Sequence, residues 1–251
     1  MQFVHRFLAE PCVETTLNDR RRRYRTGSAA RPAKLIRTGS QQNRRMKEIS
    51  RRLHNFDSAM IQTKPRFLSF EEYLSYDDGT ENLYELFNGE LIEVPPESGE
   101  NVQIANRLFL VFALLLGTDR VRGHGLELEV RGEPRNRYPD LTIIREEHIQ
   151  LLKQRNTIRL SMAPPLLVIE IVSPGELQRD RDYVAKRSQY QDRGIPEYWI
   201  IDPQDKTVLV LELTEAVYTE VDTFKDDELI RSLQLPELNV TAAQIFAPAN
   251  P

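Results

Sequence analysis

The sequence predicts an α/β fold, a mixed sheet flanked by helices, on three observations. Residues 166–172 form an apolar run fit for a buried central strand, although Glu170 interrupts it. Short alternating segments at 84–94, 125–132 and 195–213 supply further strands. Two longer stretches, 101–117 and 179–194, have apolar residues at helical spacing and each stops at a glycine.

Taken in order, LSFEEYLSY (68–76) opens with a helix-start signature, Ser69 followed three residues later by Glu72. YELFNGELIEV (84–94) holds two alternating runs around Asn88-Gly89, the strongest short hairpin signal. NVQIANRLFLVFALLLG (101–117) is apolar nearly all round, which predicts a buried helix. GLELEVRG (125–132) alternates as a half-buried strand. Arg137-Tyr138-Pro139-Asp140 then opens the strand LTII, and EEHIQLLKQRN (146–156) reads as a short surface helix. After the central strand, residues 179–194 place Tyr183, Val184 and Tyr190 at helical spacing. IPEYWIID (195–202) and TVLVLEL (207–213) are strands around an Asp-Pro turn, and a last helix starts near Thr241.

Charge divides the chain. Residues 1–60 hold 14 Lys and Arg against 5 Asp and Glu, whereas residues 61–251 hold 20 against 33. The first stretch has few aliphatics and no sustained period, so we expect a disordered basic extension ahead of one domain at 61–251. It reads as a nucleic-acid-attracting tail, a targeting peptide, or translation from a start placed too far upstream. Met60, directly before the first orderly sequence, favours the last. The apolar run at 108–117 is too short to cross a membrane, and no membrane partner is expected. The single cysteine, Cys12, excludes a cysteine-based zinc cluster and agrees with a reducing, cytoplasmic location.

Four polar residues stand where packing alone would not put them: Glu85 in the hairpin, Asp140 after a proline, Glu170 in the most apolar strand, and Lys186 on the next helix. Singly, each has an ordinary explanation. Asp140 can cap a turn, Glu85 can lie on the hairpin surface, and Lys186 can pair with Asp182 at i,i+4. Together, two carboxylates on adjacent strands make an oxygen-rich site that suits magnesium, or manganese in its place. Such an ion would give Glu170 the counter-charge that its burial demands. A nearby lysine could orient or activate a water for attack on phosphorus.

PD at 139–140 followed about thirty residues later by E-I-V at 170–172 resembles the PD-(D/E)XK nuclease superfamily. YELFNGELIEV, RYPDLTII, LLVIEIVSP, KRSQY and GIPEYWIID, in this order, resemble more closely its putative restriction endonuclease family over residues 66–248. The resemblance implies a restriction-endonuclease-like core and a metal-dependent endonuclease acting on DNA, double-stranded by preference. A homodimer is compatible with cutting both strands. It also implies that Asp140 and Glu170 are metal ligands, with the Ile171 carbonyl beside them and Glu85 assisting. Val172 stands where the E-x-K pattern has lysine, so Lys186 on the following helix takes that role, with Tyr190 and Gln189 as supports. The missing lysine also motivates the alternative of a catalytically inactive nuclease-fold protein, a nucleic-acid-binding or interaction module. His124, between two glycines, reads first as a loop histidine and second as a contact to phosphate or metal. Trp199 reads as core, and Arg135 and Arg137 as phosphate grips or exposed loop residues.

Overall fold

The computed structural model describes residues 65–247; the expected basic extension lies outside the described residues. Ser69 caps helix α1 (Phe70–Leu74), its side chain accepting from Glu72 N at 3.1 Å. Strands β1 (Tyr84–Phe87) and β2 (Glu90–Glu93) pair antiparallel around Asn88 and Gly89. Both turn residues have positive φ, 50° and 81°, which the Asn-Gly pair tolerates and most residues do not.

Helix α2 (Gly99–Leu116) is capped by Ser98. A short 3-10 turn then leads to β3 (Val121–Gly123), β4 (Glu127–Glu129), β5 (Asn136–Arg137) and β6 (Leu141–Ile143). Helix α3 (Glu146–Leu151) and β7 (Thr157–Ile158) precede the central strand β8 (Leu167–Ile171). The crossover that follows is one helical run in three parts: α4 (Glu176–Asp180), a π-helical segment (Arg181–Lys186) and α5 (Arg187–Arg193), closed by Gly194 in the left-handed region. Strands β9 (Glu197–Asp202), β10 (Thr207–Thr214) and β11 (Val217–Phe224), then helix α6 (Ala242–Phe246), complete the described elements.

Six strands form the main sheet in the order β11-β10-β9-β8-β6-β3. It is mixed: β8 runs parallel to β9 and antiparallel to β6. The parallel step is possible because the helical run between β8 and β9 carries the chain back. A smaller sheet has the order β5-β4-β7. Alternation sorts the residues of β8 between two cores. Leu167, Ile169 and Ile171 pack with Ile104, Leu108 and Phe112 of α2 and with Ala242 and Ile245 of α6. Val168 and Val172 pack on the opposite face with Tyr190 of α5 and with Leu126 and Leu128 of the small sheet. A one-residue slip would exchange the faces, and each buried Ile or Leu side chain contributes about 1.5–3 kcal/mol, so the register is firmly specified. Glu170 is thereby placed on the α5 face.

Several elements differ from the sequence expectation. Helix α2 is buried on one face only; Leu110 and Leu114 are exposed, at 64% and 89%. Strand β4 is buried on both faces, not half-buried, because Glu127 and Glu129 are themselves engaged by side chains. Glu127 accepts from Asn136, Tyr138 and Thr157, and Glu129 pairs with Arg159. Strand β11 was not expected, since its alternation is broken by Thr219, Glu220 and Asp222 on the solvent side.

Candidate functional site

Strand β8 and the π-helical segment supply the first half of the site. Glu170 is 1% exposed, and both of its oxygens are occupied. Oε2 accepts from Lys186 Nζ at 2.7 Å and Oε1 from the Tyr190 hydroxyl at 2.5 Å. Lys186 Nζ also lies 2.8 Å from Asp182 Oδ1, without hydrogen-bond alignment. Lys186 and Asp182 are buried too, at 5% and 1%, so their i,i+4 pair is an interior one. The π-helical turn and the sheet beneath it enclose both residues. Burial alone would lower the Lys186 pKa, but Glu170 and Asp182 outweigh it and hold the ammonium protonated. Burial raises the Glu170 pKa, with Lys186 opposing it.

The second half is built around Asp140, at the start of β6. Its Oδ2 accepts from Ile171 N at 2.6 Å, which fixes it against the end of β8. Burial and then the charge of Glu170 push its pKa well up, with Lys186 opposing. Asp140, Glu97 and His124 each offer a ligand atom, and these atoms lie within 4.8 Å of one another. Glu97 precedes the cap of α2, and His124 follows β3. Desolvation lowers the His124 pKa, Glu97 opposing and Lys186 reinforcing, which favours the neutral ring whose nitrogen lone pair can bond a ligand. Asn101, buried on α2, donates to Ile171 O at 3.0 Å and to Ser173 Oγ at 3.2 Å. It therefore ties the helix to the strand that carries Glu170.

The expected site residues fall into two groups. Asp140 feels the charges of Glu170 and Lys186 near the end of β8, but the group able to share one ion joins it to Glu97 and His124 rather than to Glu170 or Glu85. Glu85 borders the same cavity as Lys186, but its carboxylate is held by Arg137 NH1 at 3.0 and 3.2 Å. Arg137 is 3% exposed and also donates to Gln189 at 2.7 Å, so neither a phosphate grip nor an exposed loop residue describes it. Gln189 in turn donates to the carbonyls of Arg131 and Pro134, a role in loop support. Tyr190 supports Glu170 directly. Trp199 is fully buried with Phe112 beside it. His124 has no hydrogen-bond partner among the described residues and faces the Asp140 group instead.

Glu97 and Asn101 were not singled out in the sequence, and Asp182 was named only as a surface i,i+4 partner of Lys186. Asn101 had a signal: it falls on the same stripe as Ile104, Leu108 and Phe112, where a polar residue is out of place. Glu97 had none, because its position beside His124 depends on how α2 lies across the sheet.

The carboxylates of Asp140, Glu170, Asp182 and Glu97 exceed the cations of Lys186 and Arg181 in this region. A divalent cation fits that donor set, with carboxylate oxygens and one imidazole nitrogen available.

A family model described as Uma2, "Putative restriction endonuclease", matches residues 70–243. Among solved structures, the fold is similar to that of a putative nuclease belonging to DUF820 from Anabaena variabilis ATCC 29413. That likeness has a TM-score of 0.54 at 19% identity and covers 72% of this chain and 98% of the other. No curated protein matches the sequence.

Proposed function

The chain belongs to the Uma2 family, the putative restriction endonucleases, and from that premise we propose that it is a metal-dependent endonuclease hydrolysing DNA phosphodiester bonds. The observation that carries this reading is the meeting of a buried, strand-anchored Asp140 with Glu97 and His124 beside a buried lysine. Asp140, Glu97 and His124 would hold magnesium or manganese. When bound, the ion would supply charge to stabilise the extra negative charge that develops on the phosphoryl oxygens.

The remaining steps belong to side chains. Lys186 presents three N–H donors, of which one is taken by Glu170 while Asp182 lies in ion-pair contact. A remaining donor would serve the attacking water or a phosphoryl oxygen. Because the ammonium is held protonated, it orients and donates rather than accepting a proton. Glu170 and Tyr190 keep the amine from swinging away, and Asn101 and Ile171 N keep Asp140 in register with it. Preorganised charge of this kind acts at the transition state without reorganisation.

A second reading has its own observation: both Glu170 oxygens are already occupied, as in a nuclease fold retained for binding alone. One experiment separates the two. Supercoiled plasmid is incubated with purified protein and magnesium or manganese, and then with EDTA. Nicking that EDTA stops, and that Asp140→Asn and Lys186→Met each reduce at least a hundredfold, is the expected result. Cation binding by calorimetry with intact plasmid, and with no linear or nicked product from any DNA or RNA, would leave only the binding module.

A further inference from the structure

Two cavities share Glu97 and His124 in their walls and differ in chemistry. One, of about 290 Å³, has Lys186 and Arg181 in its lining with Ser173 and Gln178. The other, of about 350 Å³, follows one face of α2 from Asp140 and is walled by Val102, Ala105, Asn106, Phe109, Gly123 and Leu141. Among the described residues no lysine or arginine lines this second cavity, and Glu97 and Asp140 do. Beyond the Glu97, His124 and Asp140 group its wall is mostly apolar, which does not suit a phosphate. It matches the size and character of small-ligand pockets, which run roughly from 300 to 1,000 Å³ and are mostly apolar with few polar groups.

Resting on the nuclease reading above, we infer that this cavity receives an unpaired nucleobase next to the scissile phosphate. A base is flat, apolar on its faces and amide-like at its edges. Val102, Ala105 and Phe109 offer the face contacts, and the Asn106 amide both donates and accepts at an edge. The phosphates belong in the neighbouring cavity, on the Lys186 and Arg181 side. A base inside an intact duplex cannot reach a side pocket without leaving the stack, and leaving is cheapest where it is mismatched or already single-stranded. The substrate is therefore single-stranded DNA, or duplex DNA at a mismatch or bulge. The charge of the domain agrees. Residues 61–251 carry 20 Lys and Arg against 33 Asp and Glu, which disfavours duplex binding through phosphates alone, whereas stacking on an aromatic side chain works on every base.

Binding tests this independently of cleavage. Full-length protein with manganese is titrated calorimetrically with thymidine 5′-monophosphate and with 2-deoxyribose 5-phosphate, which lacks the base. We expect the nucleotide to bind at least tenfold tighter. A Cβ at Gly123 would meet no atom within 4 Å, and its backbone is outside the left-handed region, so Gly123→Val fills the cavity without straining the strand. That variant should shrink the gap below threefold, and Phe109→Ala should do the same by removing the stacking face. Equal affinities, including no binding by either ligand, overturn the inference, as does a gap that survives both variants. In parallel, a mismatched duplex and a single strand should be cut at least tenfold faster than a perfect duplex. Base-dependent binding with no cleavage of any DNA sinks the nuclease reading and leaves the pocket standing. Cleavage indifferent to base pairing, with equal affinities, does the reverse.

Discussion

Lys186 Nζ lies 2.7 Å from Glu170 Oε2, joining the middle of the crossover helix to the central strand of the sheet. Both side chains are nearly inaccessible, and a third charge, Asp182, is in contact with the same ammonium. A buried pair of this kind is costly to break from one side, because the remaining charge is left in low dielectric. Lys186→Met should therefore lower unfolding free energy by about 3–5 kcal/mol, read from urea denaturation. Adding Glu170→Gln in the same chain should restore part of that loss, since one stranded carboxylate is removed. A double variant no more stable than Lys186→Met alone would show that the pair is not what the single substitution disturbs.

Asp140 gives a pH dependence with a defined sign. Its folded pKa is raised well above the ordinary value of 3.8, by burial first and Glu170 second. The folded state thus binds the proton more tightly than the unfolded chain. The stabilising contribution is complete below about 3.8 and is lost as pH rises through the raised folded value. In EDTA, wild type should lose thermal stability relative to Asp140→Asn across that window. Manganese should reverse the loss in wild type and leave Asp140→Asn unchanged. Melting curves from pH 4 upward, with and without the cation, check both halves.

Local chemistry made part of this site readable. Glu170 stood out because a carboxylate in an apolar strand needs a partner, and Asn88-Gly89, Ser69 and Thr241 announced their turn and caps because those signals act over a few residues. The partners themselves were harder. Lys186 was placed on the right helix, but the burial of Asp182 depends on a π-helical segment that periodicity does not reveal. Glu97 and His124 lie 27 residues apart and meet only because α2 crosses the sheet between them. Arg137 looked like a free cation in a loop; its burial comes from Glu85 and Gln189, each 52 residues away.

That burial separates Arg137 from the arginines that grip nucleic acid. Its guanidinium holds Glu85 through two contacts and Gln189 through a third, a fork that lysine cannot reproduce. Arg137→Lys should destabilise the protein by about 1–3 kcal/mol, the range for leaving buried polar partners unsatisfied. In the charge-removing variant Arg137→Gln, DNA affinity should fall no faster or slower with salt than in wild type, because no phosphate contact has gone. A salt slope shallower by about one in Arg137→Gln would instead mark it as a phosphate ligand.

The mixed ligand set around Asp140 makes a last expectation about cation choice. Glu97 and Asp140 bring hard carboxylate oxygens, which magnesium and manganese both accept. His124 brings an imidazole nitrogen, which first-row transition ions favour over magnesium. Wild type should therefore bind manganese more tightly than magnesium in calorimetric titration. His124→Ala should weaken manganese by about tenfold, the scale of one ligand bond at 1.4 kcal/mol, while moving magnesium much less. Glu97→Gln should weaken both ions by similar factors, since it removes charge rather than a nitrogen. If His124→Ala leaves the ratio of the two affinities untouched, the imidazole is not a ligand, and the cation sits between Asp140 and carboxylates on the Glu170 side.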